Sequence, residues 1–116
     1  MPRYLIVDDN RSYAAAARDL LEREGITVVG FAANSAEALR LAIELRPDVI
    51  LVDVDLGDES GFDLAPRLAA ETTAQVVMIS AHSGVEFADL VAASPAAGFL
   101  SKSELSAAAI SDLLEG

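Results

Sequence analysis

The chain has no cysteine and a single histidine, His82. Without cysteine there can be no disulfide bond, no thiol nucleophile and no thiolate zinc site. One histidine excludes a metal site built from several imidazoles, and it argues against a Ser-His-Asp triad. A metal site in this protein would therefore have to rely on oxygen ligands.

Positive charge and long apolar runs are scarce as well. Eight Lys and Arg residues stand against 19 Asp and Glu, a formal net charge of −11 at pH 7. A field of this sign repels nucleic-acid phosphates and anionic lipids, so we expect no direct binding of either. The longest apolar run, Tyr13 to Ala17, has five residues, whereas a membrane-spanning helix needs about 20. No signal peptide is visible either, and we expect a cytoplasmic protein.

The pattern of apolar residues predicts alternating strands and helices. The 116 residues suit one domain, 1–116, since single cores commonly run to about 100 to 150 residues. Short apolar runs predict five strands: Tyr4 to Val7, Thr27 to Ala32, Val49 to Val52, Val76 to Ile79, and the pair Phe99 and Leu100. Unbroken apolar runs are typical of parallel strands that are covered on both faces. We therefore expect an α/β fold with a parallel sheet.

Segments of helical period between the strands predict five helices. They are Arg11 to Glu24, Ala36 to Arg46, Gly61 to Ala70, Val85 to Ala93 and Ser103 to Leu114. Gly25 suits a left-handed stop after the first helix, and Ser35 is the expected N-cap of the second. Pro66 lies inside the third and weakens that prediction.

Polar residues follow the predicted strands. They are Asp8 and Asp9 after the first, Asp53 after the third, Ser80 after the fourth, and Ser101 and Lys102 after the fifth. The carboxyl ends of parallel strands share one edge, and ligands bind there where the strand order reverses. If the order is 2-1-3-4-5, Asp8 and Asp9 face Asp53 across that crevice.

Three carboxylates in one cleft require a neutralising cation or proton. Oxygen ligands without histidine or cysteine suit Mg²⁺, which commonly binds one or two carboxylates together with a phosphate. Lys102, the only lysine of the chain, would supply a compact positive charge to a phosphoryl oxygen, and the Ser80 hydroxyl could donate to another. The sequence therefore predicts a magnesium-dependent phosphoryl site.

A calcium-binding EF-hand loop beginning at Asp53 is excluded by its register. Asp55 fits the third position, but Gly57 stands where Asp or Asn is expected. Asp58 replaces the required glycine, and Leu64 replaces the bidentate glutamate.

Four segments, LIVDDN, ILVDVDLGDESG, VVMISAHS and GFLSK, occur in an order that resembles the receiver domain of bacterial two-component response regulators. The spacings from Asp9 to Asp53 and from Ser80 to Lys102 agree with that family. The segment VVGFAANSAEAL is similar to the LuxR-like, or NarL-type, branch. The resemblance implies a flavodoxin-like (βα)5 fold, a three-layer sandwich around a five-stranded parallel sheet of order 2-1-3-4-5.

The resemblance also implies a role for each polar residue. Asp53 would be the phospho-acceptor, Asp8 and Asp9 the acidic pair for Mg²⁺, Asp55 a metal ligand through its backbone carbonyl, Lys102 the phosphate-contacting lysine, Ser80 the switch hydroxyl and Phe99 the aromatic switch. Ala81 would leave the phosphoryl site open and lend its N–H, and His82 would modulate the access of water. Two departures stand out, because Gly57 and Ser103 occupy positions where the family often has proline.

The expected function is a signalling switch. The donor would be a phosphohistidine on a sensor histidine kinase or phosphotransfer protein, and the chain would catalyse only its own phosphorylation and slow dephosphorylation. Ser80 and Phe99 would then reshape the face formed by the fourth helix, the fifth strand and the fifth helix. We also expect homodimerisation through that face.

Two other functions fit part of the pattern. Asp53 and Asp55 after an apolar strand also resemble the Asp-x-Asp of metal-dependent phosphatases of the haloacid dehalogenase type. Against it, the acidic pair precedes the nucleophile, and 116 residues leave no cap domain. The other alternative is a receiver-like interaction module that no longer uses phosphate.

Overall fold

The computed structural model describes residues 2–82 and 87–115 as a five-stranded parallel sheet between layers of helices. In chain order the elements are β1 (Arg3–Val7), α1 (Arg11–Arg23), β2 (Thr27–Ala32), α2 (Ser35–Leu45), β3 (Val49–Asp53), α3 (Gly61–Glu71), β4 (Gln75–Ser80), α4 (Ala88–Ala93), β5 (Gly98–Ser101) and α5 (Ala107–Glu115). The strand order is β2-β1-β3-β4-β5. The predicted fold class and strand order are confirmed.

Side chains of the central strands alternate between two apolar clusters, one on each face of the sheet. Leu5, Ile50 and Val52 pack with residues of α2 and α3. Ile6 and Leu51 point to the other face and pack with residues of α1 and α5. Because both faces are covered, the strands read as continuous apolar runs. No helix in the described part of the chain is long and apolar enough to cross a membrane.

The ends of the first two helices follow side-chain capping. Asn10 begins α1 by accepting a hydrogen bond from the Tyr13 N–H at 3.1 Å, and Gly25, with φ of 91°, follows its end as predicted. The prediction of Ser35 as the cap of α2 is wrong by one residue. Asn34 is the cap and accepts from the Glu37 N–H at 2.9 Å, and Ser35 is the first residue of the helix.

The last three helices differ from the predicted ranges. α3 continues through Pro66 to Glu71, with the proline ring on the exposed face of the helix. α4 begins at Ala88, and the predicted start at Val85 lies outside the described residues. α5 begins at Ala107 rather than Ser103, because a 3-10 turn covers Lys102–Glu104 and the Ser106 hydroxyl then caps the helix by accepting from Ala109 N–H at 3.0 Å.

A hairpin between β3 and α3 was not predicted. Its short antiparallel strands are Asp55–Leu56 and Glu59–Ser60. Gly57 adopts φ of 72°, which proline cannot, so this loop differs from one with the family's proline at that position. Leu56 is buried and fixes the hairpin against the α2–α3 side of the core. The hairpin therefore holds the segment that directly follows Asp53.

Candidate functional site

Three aspartates meet at the carboxyl edge of the sheet. Asp8 follows β1 and Asp53 ends β3, and these strands are paired in register from Tyr4 with Val49 to Val7 with Val52. One carboxylate oxygen each from Asp8, Asp9 and Asp53 lies within 4.8 Å of the others. Asp8 is 3 % exposed and Asp53 is 5 % exposed, whereas Asp9 faces solvent. The strand order thus creates an acidic cleft from residues 44 to 45 positions apart in the chain.

Lys102 enters the same cleft from the end of β5. Its Nζ lies 2.6 Å from Asp8 Oδ2 and 3.1 Å from Asp53 Oδ2, and the side chain is 14 % exposed. Three carboxylates around one ammonium group leave two negative charges uncompensated when all are ionised. The residual charge of the cleft therefore matches a divalent cation.

The pKa values of the site reflect this crowding. Burial raises the pKa of Asp53 to about 6, and the Asp8 charge adds to the increase, whereas the Asp55 N–H and Lys102 oppose it. Burial acts to lower the pKa of Lys102, but Asp8 and Asp53 outweigh it, so the pKa is raised overall. At pH 7 the Asp53 carboxyl group, with a pKa of about 6, is consequently mostly ionised beside the charged Lys102.

The donor set fits Mg²⁺. Asp8 Oδ1 accepts a hydrogen bond from the Asn10 N–H at 2.8 Å, which orients the carboxylate. Its buried Oδ2 lies 2.6 Å from Lys102 Nζ. Carboxylate oxygens gathered in this way are the ligands that Mg²⁺ takes in proteins.

Backbone groups of the segment after Asp53 help to orient its carboxylate. Its Oδ1 accepts from the Asp55 N–H at 3.1 Å, and Val54 O accepts from the Gly61 N–H at 2.8 Å. Gly61 lies so close to Asp53 that a Cβ there would overlap the Asp53 carbonyl oxygen. The Asp55 side chain is exposed, so its expected part in the metal site falls to its backbone carbonyl.

The other predicted residues lie around the mouth of the cleft. Ser80 ends β4 one residue after Ile79, which pairs with Asp53, and its buried Oγ accepts from the His82 N–H at 3.0 Å. Ala81 and His82 are exposed. Phe99 on β5 is half-buried, and its ring centre is 5.8 Å from that of Phe87. Phe99 thus lies two strands from β3 in the order of the sheet.

Tyr13 is a site residue that the sequence did not reveal. Its helical spacing indicates only a core-facing position in α1. Its hydroxyl donates to the Lys102 carbonyl at 3.2 Å, and Lys102 Nζ lies 4.4 Å from the centre of its ring. Burial raises the pKa of Tyr13 to about 12, with Asp8 and Asp53 contributing, so the hydroxyl keeps its proton at neutral pH. The only available signal was its place in the first turn after the acidic pair.

Comparisons with known proteins agree with this geometry. Residues 4–114 match the family described as the response regulator receiver domain. A Pseudomonas aeruginosa protein named "putative transcriptional regulator" is 35 % identical over 105 residues, which cover 90 % of this chain and 51 % of that protein. The chain spans about half or less of the length of the curated relatives it matches.

Solved structures show the same similarity. A LuxR-family two-component response regulator from Aurantimonas sp. SI85-9A1 is 28 % identical with a TM-score of 0.86, over 99 % of this chain and 86 % of that one. A response regulator from Burkholderia pseudomallei, solved with a phosphorylated aspartic acid, calcium ion and citrate, is 28 % identical with a TM-score of 0.85. That match covers 97 % of this chain and 66 % of the other.

Proposed function

The chain belongs to the receiver-domain family of response regulators, and from that premise we propose that Asp53 accepts a phosphoryl group in a Mg²⁺-dependent reaction. The observation that carries the proposal is the buried Asp53 carboxylate between the acidic pair and the sole lysine. Family membership favours this function over a haloacid dehalogenase-type phosphatase and over a module that no longer uses phosphate.

The chemistry needs no general base. A carboxylate oxygen of Asp53 attacks the phosphorus of a phosphohistidine that is protonated on its other ring nitrogen, the P–N bond breaks, and neutral imidazole leaves with an acyl phosphate formed on Asp53. Because the pKa of Asp53 is about 6, most of the carboxyl group is already ionised at pH 7. Lys102 Nζ, held at the same carboxylate, is placed to contact a phosphoryl oxygen.

Asp8, Asp9 and Asp53, together with the Asp55 carbonyl, would hold the Mg²⁺ ion, which supplies positive charge between the carboxylates and the phosphoryl oxygens. The Ala81 N–H and the Ser80 hydroxyl are the proposed donors to the remaining phosphoryl oxygens, and exposed His82 is the proposed modulator of water access. Movement of Ser80 and inward rotation of Phe99 would then change the α4-β5-α5 face.

The proposed phosphodonor is a sensor histidine kinase or a phosphotransfer protein. We propose a single receiver domain over residues 1–116 that works in the cytoplasm, and homodimerisation through the α4-β5-α5 face belongs to the same proposal. The net charge of −11 supports the absence of direct nucleic-acid binding by this domain.

The test is Mg²⁺-dependent incorporation of labelled phosphate from acetyl phosphate into wild type, Asp53→Asn and Asp112→Asn. Asp112 is an exposed residue of α5 and provides the matched loss of one charge away from the cleft. We expect at most one phosphate per wild-type and Asp112→Asn chain and none on Asp53→Asn. Equal labelling of Asp53→Asn would overturn the nucleophile, and many turnovers per minute on p-nitrophenyl phosphate would favour the phosphatase.

A further inference from the structure

We propose that Tyr13 is a positioning residue for Lys102, holding the lysine backbone through its hydroxyl and the ammonium group through its ring. The inference rests on the proposed function, because it concerns the lysine that would contact the phosphoryl group. Tyr13 lies in α1 and Lys102 lies 89 residues later, so the contact joins the first helix to the end of the last strand.

The Lys102 backbone receives few restraints from its own segment of the chain. β5 ends at Ser101, so the Lys102 backbone lies outside the strand ladder. Every residue of β5 is only half-buried, and the next residues, Ser103 and Glu104, are exposed. A lysine side chain is a flexible four-carbon stem with a compact charge. Asp8 and Asp53 hold the charged end, at 2.6 and 3.1 Å, but these two contacts do not restrain the backbone.

The two contacts of Tyr13 restrict different parts of the lysine. The hydrogen bond from the Tyr13 hydroxyl, 3.2 Å long, fixes the carbonyl at the start of the Lys102–Glu104 turn. The ring, with its centre 4.4 Å from Nζ, favours the ammonium group on the negative face of the π system. Backbone and side chain are thereby held from the same residue.

The Tyr13 contacts lie next to a position where the sequence departs from the family. Ser103 follows Lys102 where many receivers have proline, and no cis peptide bond occurs among the described residues. Tyr13, on α1, contacts both the backbone and the ammonium group of the lysine next to this position.

The Tyr13 ring should affect the rate of phosphorylation more than donor binding. A phosphoryl group on Asp53 adds negative charge beside an ammonium group that the ring already retains at the cleft. Tyr13 therefore restricts Lys102 before the reaction begins. A charge that is already in position contributes more to the rate than one that must reorganise. Loss of the ring should impair the phosphorylation rate more than the binding of the donor.

The first measurement uses the fact that Lys102 is the only lysine. In protein labelled with ¹³C,¹⁵N-lysine, a single side chain gives signals, and its ε-methylene protons should be shifted upfield by the Tyr13 ring. Tyr13→Phe keeps the ring and should keep the shift, whereas Tyr13→Leu should lose it. Tyr4→Phe, which changes a hydroxyl on β1, is the control.

The second measurement is Mg²⁺-dependent phosphorylation by acetyl phosphate. We expect Tyr13→Leu to lower the maximal rate about tenfold with little change in donor KM, and Tyr13→Phe to restore most of it, since a partly desolvated cation–π contact is worth about that factor. In a Lys102→Ala background, Tyr13→Leu should lower the rate no further.

Each outcome decides one claim. A folded Tyr13→Leu protein that keeps the Lys102 shift, or that loses the same factor in the Lys102→Ala background, would overturn the positioning role. Should the wild type incorporate no phosphate, the proposed function would fail, while the lysine signal would still test the contact.

Discussion

The centre of the sheet and its β5 edge are built very differently. All five residues of β3 and five of the six in β4 are buried. No residue of β5 is fully buried, α4 has no buried residue, and α5 buries only Ile110. The carboxylates Asp8 and Asp53 stand on the tightly packed centre, whereas Lys102 and Phe99 belong to the loosely packed edge. The proposed phospho-acceptor Asp53 thus lies on the most buried part of the sheet, and the proposed aromatic switch Phe99 lies on its least buried strand.

The largest expected effect concerns packing in these two regions. Leu51→Ala in β3 removes a side chain that is 0 % exposed and should lower the free energy of unfolding by about 4 kcal/mol. Leu90→Ala in α4, where the side chain is 51 % exposed, should lower it by less than about 1 kcal/mol. Urea denaturation measures both, and a difference below about 1 kcal/mol would remove the contrast between centre and edge.

Two glycines sharpen the same contrast. A Cβ at Gly61 meets the Asp53 backbone, which cannot move without displacing the site. We expect Gly61→Ala to cost about 3 kcal/mol, the upper end of overpacking costs, and to reduce labelling of Asp53. A Cβ at Gly98 in β5 meets Leu113 Cδ2 at 2.7 Å, a flexible side-chain end, so Gly98→Ala should cost only about 1 kcal/mol. Equal costs in denaturant would contradict this difference.

The raised pKa of Asp53 predicts that the ionised carboxylate lowers the free energy of unfolding in a pH-dependent way. The folded chain binds this proton more tightly than the unfolded chain, so the contribution of Asp53 to stability falls as pH rises from about 4 to about 6 and stays low above that. Without metal, Asp53→Asn should therefore be more stable than wild type at pH 7, by about 1 to 2 kcal/mol, and not at pH 4. Thermal unfolding at both pH values tests this, and a variant less stable at pH 7 would contradict it.

Bound magnesium should make the wild type more stable than Asp53→Asn at pH 7, because only the ionised carboxylate binds the ion. Mg²⁺ affinity should fall by up to about tenfold for each pH unit below 6, as the proton competes for Asp53. Titration of Mg²⁺ into wild type and Asp53→Asn at several pH values checks this. A pH-independent affinity in the wild type would indicate that Asp53 is not a ligand.

A small effect on stability is also expected for the aromatic rings at the β5 edge. The rings of Phe62, Phe87 and Phe99 form a row, with centre distances of 5.7 and 5.8 Å. Phe99→Leu should cost about 1 kcal/mol and leave phosphate labelling intact, because the ring is half-buried and lies on β5, two strands from β3. Addition of beryllofluoride with Mg²⁺ should then shift fewer α4-β5-α5 amide signals than in wild type. Unchanged shifts would exclude Phe99 as the residue that responds.

Sequence patterns predicted the fold well because the relevant signals are local. Apolar runs such as Val49 to Val52 and the polar residues after them follow from a doubly covered parallel sheet. The caps were less certain, since Asn34 and Ser35 are both good N-cap residues and only backbone geometry decides between them. The Asp55–Ser60 hairpin was missed because each of its strands has only two residues, too few for a periodic pattern.

The amino-acid sequence by itself determined which chemistry is available. The absence of cysteine, the scarcity of histidine, and aspartates placed directly after apolar strands restrict the site to oxygen ligands and one lysine. Tertiary structure alone decided that Lys102 pairs with buried Asp8, and that the Tyr13 hydroxyl meets the Lys102 carbonyl across 89 positions. Periodicity is a property of neighbouring residues, whereas distance, burial and the pKa of Asp53 arise only once remote segments pack against each other.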